Sequence, residues 1–160
     1  MKRRARRREA VFIDTNLLLV LLIGALDPAQ VDRFKRTRKY SREDYALLAA
    51  FVSQYKRVVT TPNVLTEVSN LAGQLTGPLR ERAFLALGVL VGQYEERFHP
   101  SRELILHDSF PVLGLADTSV ISAVDNTITV LTDDLSLYLK LSAAGIEAIN
   151  FNHLRSGSWE

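Results

Sequence analysis

From Ala10 onward the chain alternates between short unbroken apolar runs and longer stretches whose apolar residues recur three or four positions apart. Val11 to Ile13 reads as a buried strand, and Asn16 to Leu26 as the helix after it, stopped at Asp27-Pro28 because proline cannot continue a helix. Residues 27–40 form a basic connection. Ser41 with Asp44 three residues on resembles a capping box, and Tyr45, Leu48, Val52 and Tyr55 then recur at helical spacing. The segment "RVVTT" is a β-branched strand, and Thr61-Pro62 supplies an N-cap and a first-turn proline to a helix along "NVLTEVSNLAGQL". Another helix runs from Pro78 to about Arg97, with Phe84, Leu87, Val91 and Tyr94 on one side. The pattern between Phe98 and Gly114 is ambiguous, with "ELIL" a candidate short strand.

The last third is clearer. "LADTSVISAV" is helical, "TITVLT" a strand, "LSLYLKLSAAG" a helix closed by Gly145, and "EAINF" a last strand. Strands that alternate with helices, several of them apolar without alternation, predict an α/β fold. The expected architecture is a three-layer α/β/α sandwich around a central parallel sheet. In such sheets ligands bind beyond the carboxyl ends of the strands, which is where Asp14 falls.

Composition narrows the chemistry. The 160 residues suit one domain, 11–160, behind a basic N-terminal extension over 1–10. With 47% hydrophobic and 24% charged residues the chain is globular rather than disordered. It has no cysteine, so thiolate metal sites and disulfides are excluded, and His99, His107 and His153 lack metal-ligand spacing to one another. The basic start and apolar run resemble a secretory signal, but Asp14 and Asn16 interrupt the run, and Leu17 to Ile23 is short for one. It is also too short to span a membrane, so a cytoplasmic protein is expected. The net charge of +2 hides two basic clusters: Lys2, Arg3, Arg4, Arg6, Arg7 and Arg8, and then Lys35, Arg36, Arg38, Lys39 and Arg42. Both suit the backbone of RNA; a solvated charged terminus is the plainer reading of the first.

Four acids stand where a site would be. Asp14 ends the first strand, where it equally caps the next helix. Glu67 has Val64 and Leu71 one turn either side, at the border of the inward face or reaching past it to water. Asp117 precedes Val120, Ile121 and Val124 on a buried stripe and doubles as an N-cap candidate. Asp134 follows the strand "TITVLT", with Asp133 its rival for the inward position; Asp125 belongs to a turn. Converging carboxylates raise one another's pKa, and a hard divalent cation such as Mg²⁺ or Mn²⁺ relieves this. Such a cation also acidifies bound water and neutralises the oxygens of an in-line phosphoryl displacement.

These segments resemble the PIN-domain ribonucleases. "FIDTN" is similar to the family's opening motif, "TPNVLTEVSNL" to its glutamate-bearing helix, "LADTSVISAV" to its third-acid helix, and "VLTDD" to its strand-end threonine and fourth acid. The likeness runs in order from Val11 to Phe151. It departs in two places: the interval from Asp117 to Asp134 is one residue short of the usual, and the basic head has no counterpart. The resemblance implies a Mg²⁺- or Mn²⁺-dependent endoribonuclease with Asp14 and Asp117 as principal metal ligands. Glu67 would serve a second metal or the attacking water, and Asp134 would ligate directly or through water. Thr15, Asn16 and Thr132 would hold the carboxylates by hydrogen bonds. A toxin of the VapC kind, a homodimer and an antitoxin partner come with the same family. The rival from another class is a catalytically inactive PIN-like domain that binds RNA or serves as a scaffold. Phosphatases of the haloacid-dehalogenase kind need a second aspartate where Asn16 stands. Serine-hydrolase elbows and phosphate-binding glycine loops are absent from the sequence.

Overall fold

The computed structural model describes residues 8–157. The apolar runs become strands: β1 (Arg8–Ile13), β2 (Tyr55–Thr60), β3 (Glu95–Glu96), β4 (Ile128–Thr132) and β5 (Ala148–Asn150). All pair in parallel, in the order β3-β2-β1-β4-β5. Every residue of β4 and the last four of β1 are buried, as expected of parallel strands covered on both faces.

The helices are α1 (Thr15–Leu26), α2 (Arg42–Val52), α3 (Pro62–Ala72), α4 (Gly77–Gln93), α5 (Ser101–Leu104), α6 (Phe110–Ala123), α7 (Leu135–Ala143) and α8 (Phe151–Arg155). They flank the sheet to give the α/β/α sandwich expected from the sequence. Among them α1 is the most deeply set, with Leu17, Leu18, Leu19, Val20, Leu22 and Ile23 all buried, and it packs on α2, α3 and α4. Gly24 allows the close approach to α2, since a Cβ there would meet the Tyr45 ring at 2.2 Å. No helix among the described residues is long and apolar enough to cross a membrane.

The chain lays down β1, β2 and β3 toward one edge and then returns to place β4 on the other side of β1. The carboxyl ends of β1 and β4 therefore flank the point where the winding reverses, the usual crevice of open parallel sheets. The register pairs Ile13 with Leu131, and Asp14 N–H donates to the Leu131 carbonyl at 3.0 Å. Asp14 thus comes level with Thr132.

Local signals held where they were strong. Ser41 and Asp44 form both halves of the capping box, and Thr61 Oγ1 accepts from Val64 N–H to open α3. Five elements differ from the sequence reading. The helix from Pro78 stops at Gln93, and Glu95–Glu96 join the sheet beside Val59 and Thr60, because a two-residue edge strand leaves no periodicity to read. Tyr55 begins β2 rather than ending α2, its helical spacing being coincidental. "ELIL" contributes to the helical turn α5, and Phe151 opens α8 under the cap of Asn150 instead of extending β5. Finally, β1 begins at Arg8, taking in three residues read as extension.

The basic connection is packed. Val31, Phe34, Thr37 and Tyr40 are buried at intervals of three, with bonds from Thr37 N–H to Phe34 and from Tyr40 N–H to Thr37. That tight-turn period sends Lys35, Arg36, Arg38 and Lys39 outward. Arg8 stays on β1, where its guanidinium donates to Tyr55 Oη at 3.1 Å. Arg3, Arg4, Arg6 and Arg7 lie outside the described residues.

Candidate active site

Asp14 leaves β1 in an extended conformation and enters α1 as its cap, Oδ1 accepting from Thr15 N–H at 2.7 Å. Its other oxygen accepts from the Thr132 hydroxyl at 2.6 Å. The same hydroxyl accepts from Asp134 N–H at 3.0 Å, so one buried threonine at the end of β4 fixes both acids. Asp134 in turn caps α7 through Leu137 N–H at 3.0 Å. Both aspartates are helix caps, therefore, and both also face the crevice.

Asp117 arrives by another route. Helix α6 breaks at Gly114, whose φ of 78° and ψ of −177° are accessible to glycine and strained for other residues. A second helical stretch starts just after it, which puts Asp117 in a first turn rather than at a cap. Glu67 is exposed at the rim and accepts from Thr15 Oγ1 at 3.0 Å.

Asp14, Glu67, Asp117 and Asp134 all line one cavity of about 460 Å³, together with Thr15, Asn16, Asn70 and the Gly114 turn. Asn70, one turn after Glu67 on α3, was not singled out from the sequence, nor was Gly114; their only signals were helical spacing and a glycine ahead of "LADTS". Among the described residues no lysine, arginine or histidine forms an ion pair with any of the four acids. Burial, with the charges of Asp133 and Asp134 adding to it and the Thr132 and Thr15 hydrogen bonds opposing, raises Asp14 to about 6. Burial also raises Asp117, to about 7, with the charges of Asp14, Asp134, Glu67 and Asp133 adding to it.

Asp133 lies elsewhere. Its side chain is 2% exposed and is absent from the cavity lining. Tyr40 Oη donates to it, Lys39 Nζ stands 2.9 Å away, and the Asn16 amide donates at 3.4 Å. Burial and the bond to Asp133 push the Tyr40 phenol up, so it remains a donor. Arg155 reinforces the group, donating to the Lys39 carbonyl at 3.0 Å and pairing with Asp44 at 2.9 Å. Of the adjacent acids, Asp134 is the one in the crevice. Of the three predicted tethers, Thr132 holds Asp14, Thr15 holds Glu67, and Asn16 reaches Asp133.

The donors are oxygens only, which suits a hard cation such as Mg²⁺ or Mn²⁺. They are loosely gathered: among the described residues no three Asp, Glu, His or Cys side chains form a ready-made ligand cluster. Mg²⁺ tolerates this, since it keeps several waters and is commonly held by one or two carboxylates plus substrate phosphate. No protein-family model and no curated protein matches this chain.

Proposed function

We propose that the crevice hydrolyses RNA phosphodiester bonds with the help of Mg²⁺ or Mn²⁺, as in the PIN-domain ribonucleases that the motifs resemble. The observation that carries this reading is the uncompensated charge. Two of the carboxylates are raised to about 6 and 7 at the switch point of a parallel sheet, and no basic side chain there pairs with them. A structural role would favour neutral or paired groups; a cation and a phosphate would make use of this arrangement.

Asp14 and Asp117 are the residues to hold the metal, with Glu67 and Asp134 lining the same cavity. Bound there, the metal supplies Lewis-acid stabilisation of phosphate charge and acidifies water. Thr132 and the Thr15 N–H keep Asp14 oriented, and Thr15 Oγ1 does the same for Glu67. The outward lysines and arginines of residues 35–39 offer salt-dependent contacts to a nucleic-acid backbone. The family reading brings a homodimer, an antitoxin partner and a cytoplasmic setting with it.

The competing reading is a non-catalytic RNA-binding domain, favoured by the lack of a preassembled ligand cluster. Cleavage of structured and unstructured RNAs by wild type and Asp14→Asn, with Mg²⁺, Mn²⁺ or chelator, separates the two. Metal-dependent cutting lost in the variant supports the nuclease. No cutting, with no metal uptake by calorimetry, supports the binding domain.

A further inference from the structure

The acidic crevice has a neighbour. A second hollow of about 370 Å³ adjoins it, with Glu67, Leu115 and Ala116 shared between the two. Its remaining lining has a different chemistry: Phe98, His99, Asn63, Thr66, Ser101 and Pro62. Apart from Glu67 on the shared wall it contains no acid and no lysine or arginine. Phe98 is 69% exposed and is the one exposed phenylalanine, tyrosine or tryptophan among the described residues. Beside it, the His99 Nδ1 is buried with no hydrogen-bond partner among the described residues.

An aromatic face left in water, next to the hydrogen-bonding side chains of Asn63, Thr66 and Ser101, matches the two surfaces of a nucleobase. The flat face stacks and the polar edge pairs. The shared wall places such a base next to the phosphate that the crevice would hold. We infer that this hollow is a nucleobase subsite, which stacks an unpaired base of single-stranded RNA on Phe98 while the neighbouring phosphate lies among the carboxylates. This rests on the reading of the crevice as an RNA site. A base within a duplex is already stacked and paired, so it does not enter this hollow.

Phe98 is exposed, so its replacement leaves the core intact. Binding of labelled single-stranded RNA, with Ca²⁺ in place of Mg²⁺, is to be compared for wild type, Phe98→Ala and Phe98→Tyr. The loss of one stacking contact weakens the alanine variant roughly tenfold. The tyrosine variant retains affinity, and binding of a blunt RNA duplex is the same for all three. Mn²⁺ uptake by Phe98→Ala, followed calorimetrically, matches that of wild type. Unchanged single-strand affinity in Phe98→Ala overturns the subsite, and marks the hollow as a surface for an apolar peptide instead. If wild type cleaves RNA while Phe98→Ala binds and cuts as well, the nuclease stands and the subsite falls. If Phe98→Ala loses single-strand affinity but wild type never cleaves, the subsite stands and the hydrolytic reading falls. Wild type that binds no RNA overturns both.

Discussion

Two acidic regions share the carboxyl edge of the sheet, and one peptide bond joins them at Asp133–Asp134. In the first, Asp133 is buried and answered on several sides by Tyr40, Lys39 and Asn16, with Arg155 bracing the lysine's backbone. In the second, Asp14 and Asp117 are surrounded by further acids and by neutral donors, and their protonation is favoured as a result. The contrast separates two kinds of acid. A carboxylate whose partners come from its own chain ties the basic connection and the start of α1 to the loop after β4. Carboxylates whose charge the chain leaves unanswered are available to something that binds.

Asp14→Asn tests the difference most severely. On the proposed function RNA hydrolysis should fall on the order of a thousandfold or more, since the variant would lose the charge assigned there to the metal and keep its shape. Circular dichroism and thermal melting should show a fold at least as stable as wild type. Thr132→Val should cost about 10–100-fold in activity, as is usual when the group orienting a metal ligand is removed. An unaltered rate would mean that Asp14 is held without that hydroxyl.

Asp133→Ala inverts the pattern. It strands the Tyr40 hydroxyl in a buried setting, so denaturant unfolding should show a loss of about 1–3 kcal/mol. Metal uptake at the crevice should survive. Loss of metal binding with no loss of stability would exchange the roles of the two adjacent acids.

The pH dependence sharpens the same comparison. Asp14 and Asp117 rise from 3.8 to about 6 and about 7, so between those values the native state holds protons that the unfolded chain has released. Their contribution to stability is full at low pH and falls as pH rises through that window. Asp117→Asn should flatten the fall in a melting-temperature profile. Mg²⁺ should raise the melting temperature more above the window than below it, because a cation favours the ionised acids. The smallest effect belongs to Gly114→Ala, where a side chain at φ 78° costs about 1 kcal/mol of strain and tilts Asp117. Activity should drop more than stability does.

Much of this arrangement was written locally in the sequence. The strand before Asp14, the capping box at Ser41 and Asp44, the Thr61-Pro62 start of α3 and the Gly145 stop after α7 each depend on residues a few positions apart. Their hydrogen bonds and φ preferences act in almost any context. The same locality made Asp14 and Asp134 recognisable as strand-end acids and the 35–39 segment as basic. Tertiary structure decided the rest, because those outcomes depend on which distant segment arrives. Asp134 rather than Asp133 faces the crevice because Lys39 and Tyr40, some ninety residues earlier in the chain, claim Asp133. Thr15 serves Glu67 because β1 and β2 are paired and bring α1 beside α3. Glu95–Glu96 form a strand only because the edge of β2 offers them partners. Spacing along a chain records a helix turn or a cap, whereas the choice among neighbouring acids is settled by long-range pairing that no local pattern encodes.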